Sequence, residues 1–326
     1  MLSEFDLIQR YFNWPTENVV LGIGDDAAII APMKGVELAI SADSLVVGRH
    51  FFDNADPYKL GFKSLAVNLS DMAAMGAIPK WVTLSLTLPQ LIIDQHESWL
   101  SEFSKGFREL AQTYRIELIG GDTVSGPLNI SIQIIGEVEK GYCLRRDGAQ
   151  LGDDIWVSGY LGDAALALKH ELRNFKLNDN EAFYCKSALH MPIARVELGQ
   201  RLVGLANSAI DISDGLMADL GHILARSEKA ATIELSTIPV SEVMKRYLST
   251  SIAIECILTG GDDYELCFTA PKMNRDAVIL LGRELQLPLT IIGEITQQKS
   301  QTPNLVVINN NKKVILEKNG YDHFVT

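Results

Sequence analysis

Aspartate recurs beside glycine or serine along this chain, in most cases directly after an apolar run that resembles a β-strand. Carboxylate oxygens are ligands for hard cations, and glycine lets backbone N–H groups come close to phosphate oxygens. The pattern therefore predicts a site for magnesium ions and phosphate groups. The segments that carry it are residues 22–27, 41–44, 68–71, 120–123, 211–215 and 260–263.

Any one of these segments alone is also compatible with an ordinary turn, because aspartate and glycine are the usual turn residues. Six of them are harder to explain in this way, since exposed strand ends are also where sheets carry their ligands. Carboxylates gathered at one place repel each other and need cations to offset that repulsion. Magnesium ions, each held by one or two carboxylates and otherwise by phosphate oxygens, suit this composition.

The segment 68–71 differs from the others because it lies on a predicted helix. Asn68 and Asp71 are neighbours at i, i+3, whereas Leu65, Leu69 and Met72 around them are apolar. A polar pair in this setting is either a solvated stripe or a buried site, and we favour a buried, ligand-bearing Asp71.

Several other chemistries have no sequence motif here. A P-loop, the protein-kinase motifs, a GxSxG serine elbow and an HExxH zinc motif are all missing. The segment 22–27 has two glycines of a dinucleotide fingerprint but not the third. The four cysteines, at 143, 185, 256 and 267, form no CxxC pair, so we expect reduced packing residues.

Hydrophobic periodicity predicts an α+β first domain over residues 1–140, with helices on one face of its sheet, and a second domain of strands and helices over residues 141–326. The polar stretch 139–154 is the predicted boundary. Strands are expected at 19–30, 36–46, 81–88, 116–119, 128–138, 155–158, 208–212, 231–235, 265–269 and 289–292. Helices are expected at 58–74, 94–114, 162–172, 193–206, 216–225 and 274–285, with a hairpin turn at 309–311.

The bulk composition is that of a globular protein, with 47% hydrophobic and 21% charged residues among 326. The formal net charge of −12 argues against nucleic acid or an anionic membrane as partner, since both need a basic surface. The acidic N-terminus does not resemble a secretory signal, and no apolar run approaches 18 residues. A cytoplasmic location is the expectation.

Taken together and in order, the motifs resemble those of the thiamine-monophosphate kinase family. They are Gly22-Ile-Gly-Asp-Asp-Ala, Ser41-Ala-Asp-Ser-Leu-Val, Lys63-Ser-Leu-Ala-Val-Asn-Leu-Ser-Asp-Met-Ala-Ala-Met-Gly-Ala, Leu118-Ile-Gly-Gly-Asp-Thr, Ala209-Ile-Asp-Ile-Ser-Asp-Gly-Leu, Thr259-Gly-Gly-Asp-Asp-Tyr-Glu-Leu and the terminal Lys318-Asn-Gly-Tyr-Asp-His-Phe. The resemblance covers essentially the whole chain.

The resemblance implies an aminoimidazole-ribonucleotide-synthetase-like fold, with an N-terminal α+β domain built on a mixed sheet and a C-terminal α/β domain. It also implies a homodimer that joins the N-terminal sheets. It places the active site between the domains. It also implies direct transfer of the γ-phosphoryl group of ATP to thiamine monophosphate, without a phosphoenzyme. The first domain would then carry the dimer contact and most of the metal and ATP site, which the second domain completes.

Residue by residue, the resemblance implies three sets of ligands, and no single catalytic side chain beyond them. Metal positions are Asp26, Ser41, Ala42, Asp43, Asp71, Asp122, Asp211 and Asp214. ATP positions are Gly121, Asp122, Arg146 and Ser213, and substrate positions are His50, Asp262 and Tyr321. Two positions depart from the usual family residues: Ala42 stands where threonine is common, and Asp262 where glutamate is frequent.

Some alternatives stay open. His50 is compatible with a hydrogen-bonded loop histidine, and Asp262 with a plain turn aspartate. Another ATP-using enzyme of the same superfamily, such as aminoimidazole-ribonucleotide synthetase, is the main rival function. Selenophosphate synthetases and hydrogenase-maturation dehydratases fit less well, because the chain lacks their N-terminal reactive cysteine and cysteine-bearing tail respectively. A regulatory module that binds ATP without turnover is a non-enzymatic alternative.

Overall fold

The structure is a computed structural model that describes residues 3–94, 96–298, 304–314 and 320–321. Its chain forms two compact units. The first consists of residues 1–72 and 77–141, and the second of residues 73–76 and 142–326. The chain therefore passes between the units three times.

The first unit is built on a four-stranded sheet in the order β1-β4-β2-β3. Strands β1 and β2 both pair antiparallel with β4, whereas β2 and β3 run parallel. The parallel pair requires a crossover, which the helices between β2 and β3 supply. The bounds are α1 Glu4–Tyr11, β1 Val36–Val46, α2 Pro57–Ala74, β2 Ile78–Leu88, α3 Gln90–Asp94, α4 His96–Tyr114, β3 Glu117–Ser125 and β4 Asn129–Glu139.

Two long elements of this unit follow directly from the sequence. The β-branched and apolar residues of β1 and the helical apolar stripe of α2 predict these elements almost to the residue. In α2 the side chains of Leu65, Leu69 and Met72 are fully buried. This packing fixes the helix against the unit's core. Because Asp71 directly precedes the buried Met72, its position is fixed as well.

The second unit contains a seven-stranded mixed sheet in the order β11-β10-β7-β9-β5-β8-β6. Every neighbouring pair is antiparallel except β10 and β7, which run parallel. The strands are β5 Asp154–Ser158, β6 Ser208–Asp211, β7 Ala230–Glu234, β8 Leu266–Ala270, β9 Leu289–Thr296, β10 Leu305–Asn309 and β11 Lys312–Lys313. The helices are α5 Asp163–Glu171, α6 Asp179–His190, α7 Val196–Leu202, α8 Leu216–Ser227, α9 Glu242–Lys245, α10 Ser251–Thr259 and α11 Arg275–Glu284.

The end of this sheet formed by β5, β8 and β6 is buried on both faces. Strands β5, β6 and β8 show buried residues at every position rather than an alternating pattern. Strands covered on both faces are expected to be apolar throughout. The side chains of α5, α8 and α10 complete the core, so the loops at the ends of these elements rest on a rigid base.

The structure differs from the predicted secondary structure in two respects. Residues 19–30 form only isolated bridges, Leu21 with Ile29 and Ile23 with Asp25, because Gly22 and Gly24 interrupt the run. Helices α1, α3, α6, α9 and α10 are not predicted by the sequence pattern; α10 is apolar on most sides and shows little periodicity. The hairpin turn between β10 and β11 is confirmed.

The expectation that the aspartate motifs end strands is also wrong for most of them. Asp43 lies in the middle of β1, and Asp122 lies inside β3, which continues to Ser125. The segment 260–263 follows α10 rather than a strand. Asp211 is the last residue of β6 and fits the expectation.

Across the described part of the chain, no helix combines the length and the apolar character needed to span a lipid bilayer.

Candidate functional site

A cavity of about 820 Å³ opens in the first unit, and three of the sequence-predicted site residues line it. Asp26 comes from the irregular segment before β1, and Gly121 and Asp122 come from β3. Asp25 also lines the cavity, and both Asp25 and Asp26 are exposed. The volume lies within the range of small-molecule sites. The cavity therefore combines room for a ligand with accessible carboxylates.

Close backbone packing explains why glycine stands at position 121. Gly121 has a φ of +150°, and a Cβ atom there would lie 1.8 Å from the carbonyl oxygen of Leu84 in the neighbouring strand. A side chain cannot fit at that distance. Asp122 follows directly, and its Oδ1 accepts a hydrogen bond from the N–H of Thr123 at 2.9 Å. The glycine thus lets β3 approach β2 closely while Asp122 stays exposed at the cavity.

Ser41 and Asp71 form a second group in the same unit. The Ser41 hydroxyl donates a hydrogen bond to Asp71 Oδ2, which joins β1 to α2. Asp43 lies two residues from Ser41 on β1, and side chains alternate along a strand, so the two residues face the same side. This arrangement gathers two carboxylates and a hydroxyl, all of them oxygen ligands, from two elements.

Ala42 and His50 complete the predicted residues of the first unit. Ala42 carries no polar side-chain atom, so only its main chain is available to a ligand. His50 follows β1, and its Nδ1 accepts a hydrogen bond from the N–H of Val46 at 3.0 Å. An Nδ1 atom that accepts is unprotonated, so the hydrogen of a neutral ring is on Nε2. The ring is therefore oriented by its loop, as the alternative interpretation expected.

Among the described residues, no group of three or more histidine, cysteine, aspartate or glutamate side chains is arranged to hold a metal ion. The Asp26–Asp122 cavity and the Ser41–Asp71 pair are two groups within the unit, and the structure does not merge them into one cluster of carboxylates.

In the second unit, the loop 211–215 joins β6 to α8, and one carboxylate holds it. Asp219 lies in the first turn of α8 and is buried. Its Oδ2 accepts hydrogen bonds from the N–H groups of three consecutive residues, at 3.0 Å from Ser213, 3.1 Å from Asp214 and 3.1 Å from Gly215. Burial raises the pKa of Asp219 to about 7, and the three hydrogen bonds oppose that rise.

The second glycine-dependent position of the site is Gly215. It has a φ of +112°, and an added Cβ would lie 2.7 Å from the backbone of Thr259. A non-glycine residue would meet both backbone strain and a steric clash there. The turn that points the Gly215 N–H at Asp219 thus depends on glycine.

The loop 260–265 lies beside the loop 211–215. The N–H of Asp262 donates to the carbonyl of Ser213 at 2.9 Å, and the N–H of Tyr264 donates to the carbonyl of Ile212 at 2.8 Å. The Tyr264 hydroxyl donates to Asp262 Oδ1 at 3.2 Å. Asp262 has a φ of +69°, a left-handed conformation that aspartate tolerates better than most residues. Asp262 is therefore held by its own loop and by the loop 211–215.

The next acids in this loop have partners of their own. Asp263 accepts the N–H of Gly162, at the start of α5, at 2.9 Å and 3.0 Å, and burial raises its pKa well above the usual range. Glu265 forms a bidentate ion pair with Arg195 and also accepts from the Ser158 hydroxyl. These contacts fix the C-terminal half of the loop.

The remaining predicted residues of the second unit are Arg146 and Tyr321. The Arg146 side chain is exposed, and its carbonyl accepts from the Ser227 hydroxyl at 2.9 Å. The N–H of Tyr321 donates to the carbonyl of Asp214 at 3.0 Å, and the Tyr321 side chain is about half exposed. Of the terminal motif, only Gly320 and Tyr321 are described. Residues 315–319 and 322–326 lie outside the described residues.

Within the second unit, the structure thus brings together Asp211, Ser213, Asp214, Asp262 and Tyr321. The sequence interpretation missed Asp219, Asp263 and Tyr264 as functional candidates. Acidic residues are favoured in the first turn of a helix by the helix dipole, and this signal is present in the sequence for Asp219. The contacts of Asp263 and Tyr264 depend on the tertiary structure.

The chain is similar to proteins whose activity is known. The model of the family "AIR synthase related protein, N-terminal domain" matches residues 24–138. The thiamine-monophosphate kinase of Escherichia coli (strain K12) is 44% identical over 328 residues, which cover 99% of each chain. The crystal structure of thiamine-monophosphate kinase from Stenotrophomonas maltophilia K279a aligns with a TM-score of 0.82 and 45% identity, over 91% of this chain and 93% of that chain.

A further solved structure, AaThiL complexed with AMPPCP and TMP, aligns with a TM-score of 0.77 and 32% identity. It covers 93% of this chain and 92% of that chain. Identity above 40% over nearly the full length, together with the shared two-unit fold, confirms the resemblance of the motifs. The chain belongs to the thiamine-monophosphate kinase family.

Proposed function

We propose that this protein transfers the γ-phosphoryl group of ATP to the phosphate of thiamine monophosphate, which yields thiamine diphosphate and ADP. The observation that carries the proposal is the full-length likeness to thiamine-monophosphate kinases, one of which binds AMPPCP and TMP. AMPPCP is an analogue of ATP, and TMP is the abbreviation of the acceptor. The cavity beside Asp26, Gly121 and Asp122 supplies a site of suitable size and chemistry.

The oxygen ligands of the first unit suit magnesium. Magnesium is held by one or two carboxylates, and phosphate oxygens and water fill its remaining positions. A protein that uses it in this way needs pairs of ligands rather than a preformed cage, which agrees with Ser41 and Asp71 as one pair and Asp26 and Asp122 as another. We propose that these residues, with Asp43, Asp211, Asp214 and the carbonyl of Ala42, hold magnesium ions.

Phosphoryl transfer requires positioning and charge stabilisation more than covalent chemistry by the protein. Bound magnesium would offset the negative charge on the phosphate oxygens. Gly121 permits close approach of the backbone at the cavity, and Arg146 and Ser213 would contact the ATP phosphates. The acceptor phosphate has a second pKa of about 6, so it is already a nucleophile near neutral pH and needs no strong general base.

Thiamine monophosphate itself offers an aminopyrimidine and a phosphate group to the protein. Asp262 would accept a hydrogen bond from the amino group, because Tyr264 and Ser213 hold it in place. His50 Nε2–H would donate to an anionic oxygen, and the half-exposed Tyr321 ring would lie against the ligand.

The decisive experiment is incubation with ATP, magnesium chloride and thiamine monophosphate, followed by product identification by ³¹P NMR and mass spectrometry. We expect thiamine diphosphate and ADP in equal amounts, and no phosphorylated protein when thiamine monophosphate is left out. Turnover of the substrate of aminoimidazole-ribonucleotide synthetase but not of thiamine monophosphate would support the rival function instead. ATP binding without any turnover would support a regulatory module.

We also propose a homodimer formed through β1. This strand is at the edge of its sheet, and among its residues only Leu45 is buried. Leu38, Ile40 and Val46 are 38%, 59% and 38% exposed, which is unusual for an eleven-residue apolar strand. An exposed, apolar edge strand is a template for pairing with another chain.

Light scattering checks the dimer, with a mass near twice 35.9 kDa as the expected result. Ile40→Lys should shift the protein towards the monomer. Ile193→Lys is the matched control, because Ile193 is 63% exposed but belongs to the second unit. A monomeric wild-type protein at micromolar concentration would exclude the proposed dimer.

A further inference from the structure

The backbone amides of Ser213, Asp214 and Gly215 are the groups of the loop 211–215 that an anionic ligand would be expected to bind. They lie at the N-terminus of α8, where unpaired N–H groups and the helix dipole attract anions. Consecutive N–H groups that converge on one point form an anion-binding nest. In this protein the nest is filled from within, since all three N–H groups point to Asp219 Oδ2.

The way Asp219 fills the nest has a geometric consequence for the loop. A single acceptor oxygen with three donors fixes the peptide planes of three consecutive residues. The chain direction, and with it the origin of the Ser213 and Asp214 side chains, is then set by one carboxylate on α8. Asp219 is 3% exposed, and Leu216, Leu220 and Ile223 on the same helix are fully buried. The oxygen therefore belongs to the rigid part of the unit.

We propose that Asp219 is a positioning residue for the nucleotide: it holds the loop 213–215 so that ATP and its metal are met by the side chains of Ser213 and Asp214, while the backbone amides are closed to phosphate. This inference rests on the proposed function of the loop in ATP binding. Asp219 itself does not contact the ligand, because the side chain is buried and its Oδ2 already accepts three hydrogen bonds from the loop.

The first test compares Asp219→Ala with Asp219→Asn. The asparagine keeps an acceptor oxygen of the same reach, and the alanine removes it. In the protein without ligands, hydrogen exchange of the amides of residues 213–215 should be slow in the wild type and in D219N, and much faster in D219A. Equal protection in D219A and the wild type would overturn the proposal, because the three hydrogen bonds would then not control the loop.

The second test measures binding of magnesium·AMPPCP by calorimetry. We expect D219A to bind at least about tenfold more weakly than the wild type, which corresponds to ~1.4 kcal/mol, and D219N to stay within about threefold. Unchanged binding in D219A, or an equal loss in both variants, would overturn the proposal. If D219A does not fold, the wild type decides the matter: slow hydrogen exchange of the amides of residues 213–215 is expected, and fast exchange would overturn the proposal.

The third test is the kinetic split in the active enzyme. D219A should raise the KM for ATP by about tenfold or more and the KM for thiamine monophosphate by a clearly smaller factor, because the Ser213 carbonyl also holds Asp262. Equal rises in both constants would indicate general damage and contradict a positioning role. Asp163→Asn is the matched control, because Asp163 is another buried aspartate in the first turn of a helix of this unit, and its kinetics should not change.

The calorimetric and exchange measurements do not depend on the phosphate acceptor. If the wild type binds magnesium·AMPPCP but fails to phosphorylate thiamine monophosphate, the proposed function fails while the role of Asp219 remains testable. If turnover occurs and the Asp219 variants behave like the wild type, only the inference about Asp219 fails.

Discussion

Aspartates of the first unit and aspartates of the second unit have different surroundings. Asp25, Asp26 and Asp122 are exposed at a cavity. Asp163 and Asp219 are buried, and each accepts hydrogen bonds from within the unit. A carboxylate that faces solvent can exchange water for a cation, whereas one that is saturated by protein donors orders the chain around it. The surroundings of an aspartate, rather than its motif, therefore determine its role.

An aspartate-to-asparagine substitution should lower activity in the first unit and raise stability in the second. Asp71 tests the first of these. Asp71→Asn removes a negative charge from the pair with Ser41 but keeps the shape of the side chain. We expect kcat to fall at least about 100-fold, by analogy with the loss of an electrostatic catalytic group at ~3 kcal/mol, while thermal stability is unchanged. Steady-state assays at saturating magnesium measure this.

Asp94→Asn serves as the control, because Asp94 is an exposed aspartate of the first unit outside the predicted site. Its kcat should equal that of the wild type. A kcat near the wild-type value in Asp71→Asn would remove Asp71 from the metal site and weaken the contrast between the two units.

Asp163→Asn should stabilise the protein instead. Burial raises the pKa of Asp163 to about 6 from 3.8, and Ser241 and Cys185 oppose that rise through hydrogen bonds. Because the folded pKa lies above the unfolded one, the folded state is destabilised above pH 6, by up to ~3 kcal/mol. The N-terminus of α5 favours the charge and reduces this penalty. We expect a gain of about 2 kcal/mol from the substitution at pH 8.

The pH dependence makes this prediction specific. The stabilisation relative to the wild type should be full above pH 6, shrink as the pH falls towards 4, and vanish below that, since the wild-type carboxyl is then protonated in both states. Thermal unfolding of both proteins between pH 4 and pH 8 measures it. A loss of stability at pH 8 would show that the ionised form of Asp163 is needed in the fold.

Asp262→Ala tests a residue that is held by the protein and is proposed to contact the ligand. We expect the KM for thiamine monophosphate to rise about tenfold, equivalent to ~1.4 kcal/mol, because the amino group loses its acceptor. The KM for ATP should barely move. Asp262→Glu restores the acid that is frequent in the family and should largely keep activity. A rise in both constants, or in neither, would contradict substrate recognition by Asp262.

Tyr264→Phe should have the smallest effect of the set. It removes the hydroxyl that donates to Asp262 Oδ1 at 3.2 Å and leaves the buried ring in place. A neutral side-chain hydrogen bond contributes about 1 kcal/mol, so the KM for thiamine monophosphate should rise by up to about fivefold. In the Asp262→Ala background the same substitution should add nothing, and an additive effect would show that Tyr264 acts independently of Asp262.

Much of this fold could be predicted from the sequence where local signals agree with tertiary packing. Residues 36–46 and 57–74 are examples, since strand propensity in the first agrees with its pairing to β4 and the apolar residues of the second are buried. The segment 19–30 misled because apolar β-branched residues indicate a strand even where glycines break the pairing. The segment 251–259 is apolar almost throughout, so it carries no period from which a helix could be recognised.

The site was predictable to a different degree. Aspartate and glycine motifs located the loops and the cavity residues, because magnesium and phosphate chemistry restricts the residue types that can serve. The division of labour among the acids was not predictable. It depends on which N–H groups reach Asp219 and Asp263, and those hydrogen bonds are set by the packing of α8 and α5.

The short segment 73–76 makes the second unit discontinuous in sequence. It lies near the end of α2 in sequence but belongs to the second unit, where the Met75 carbonyl accepts the N–H of Leu144 and Ala73 packs against Gly199. A fragment that begins at residue 142 would lack these four residues. The second unit therefore cannot be released intact by one proteolytic cut after residue 141. During translation, its segment 73–76 is synthesised before residues 77–141 of the first unit.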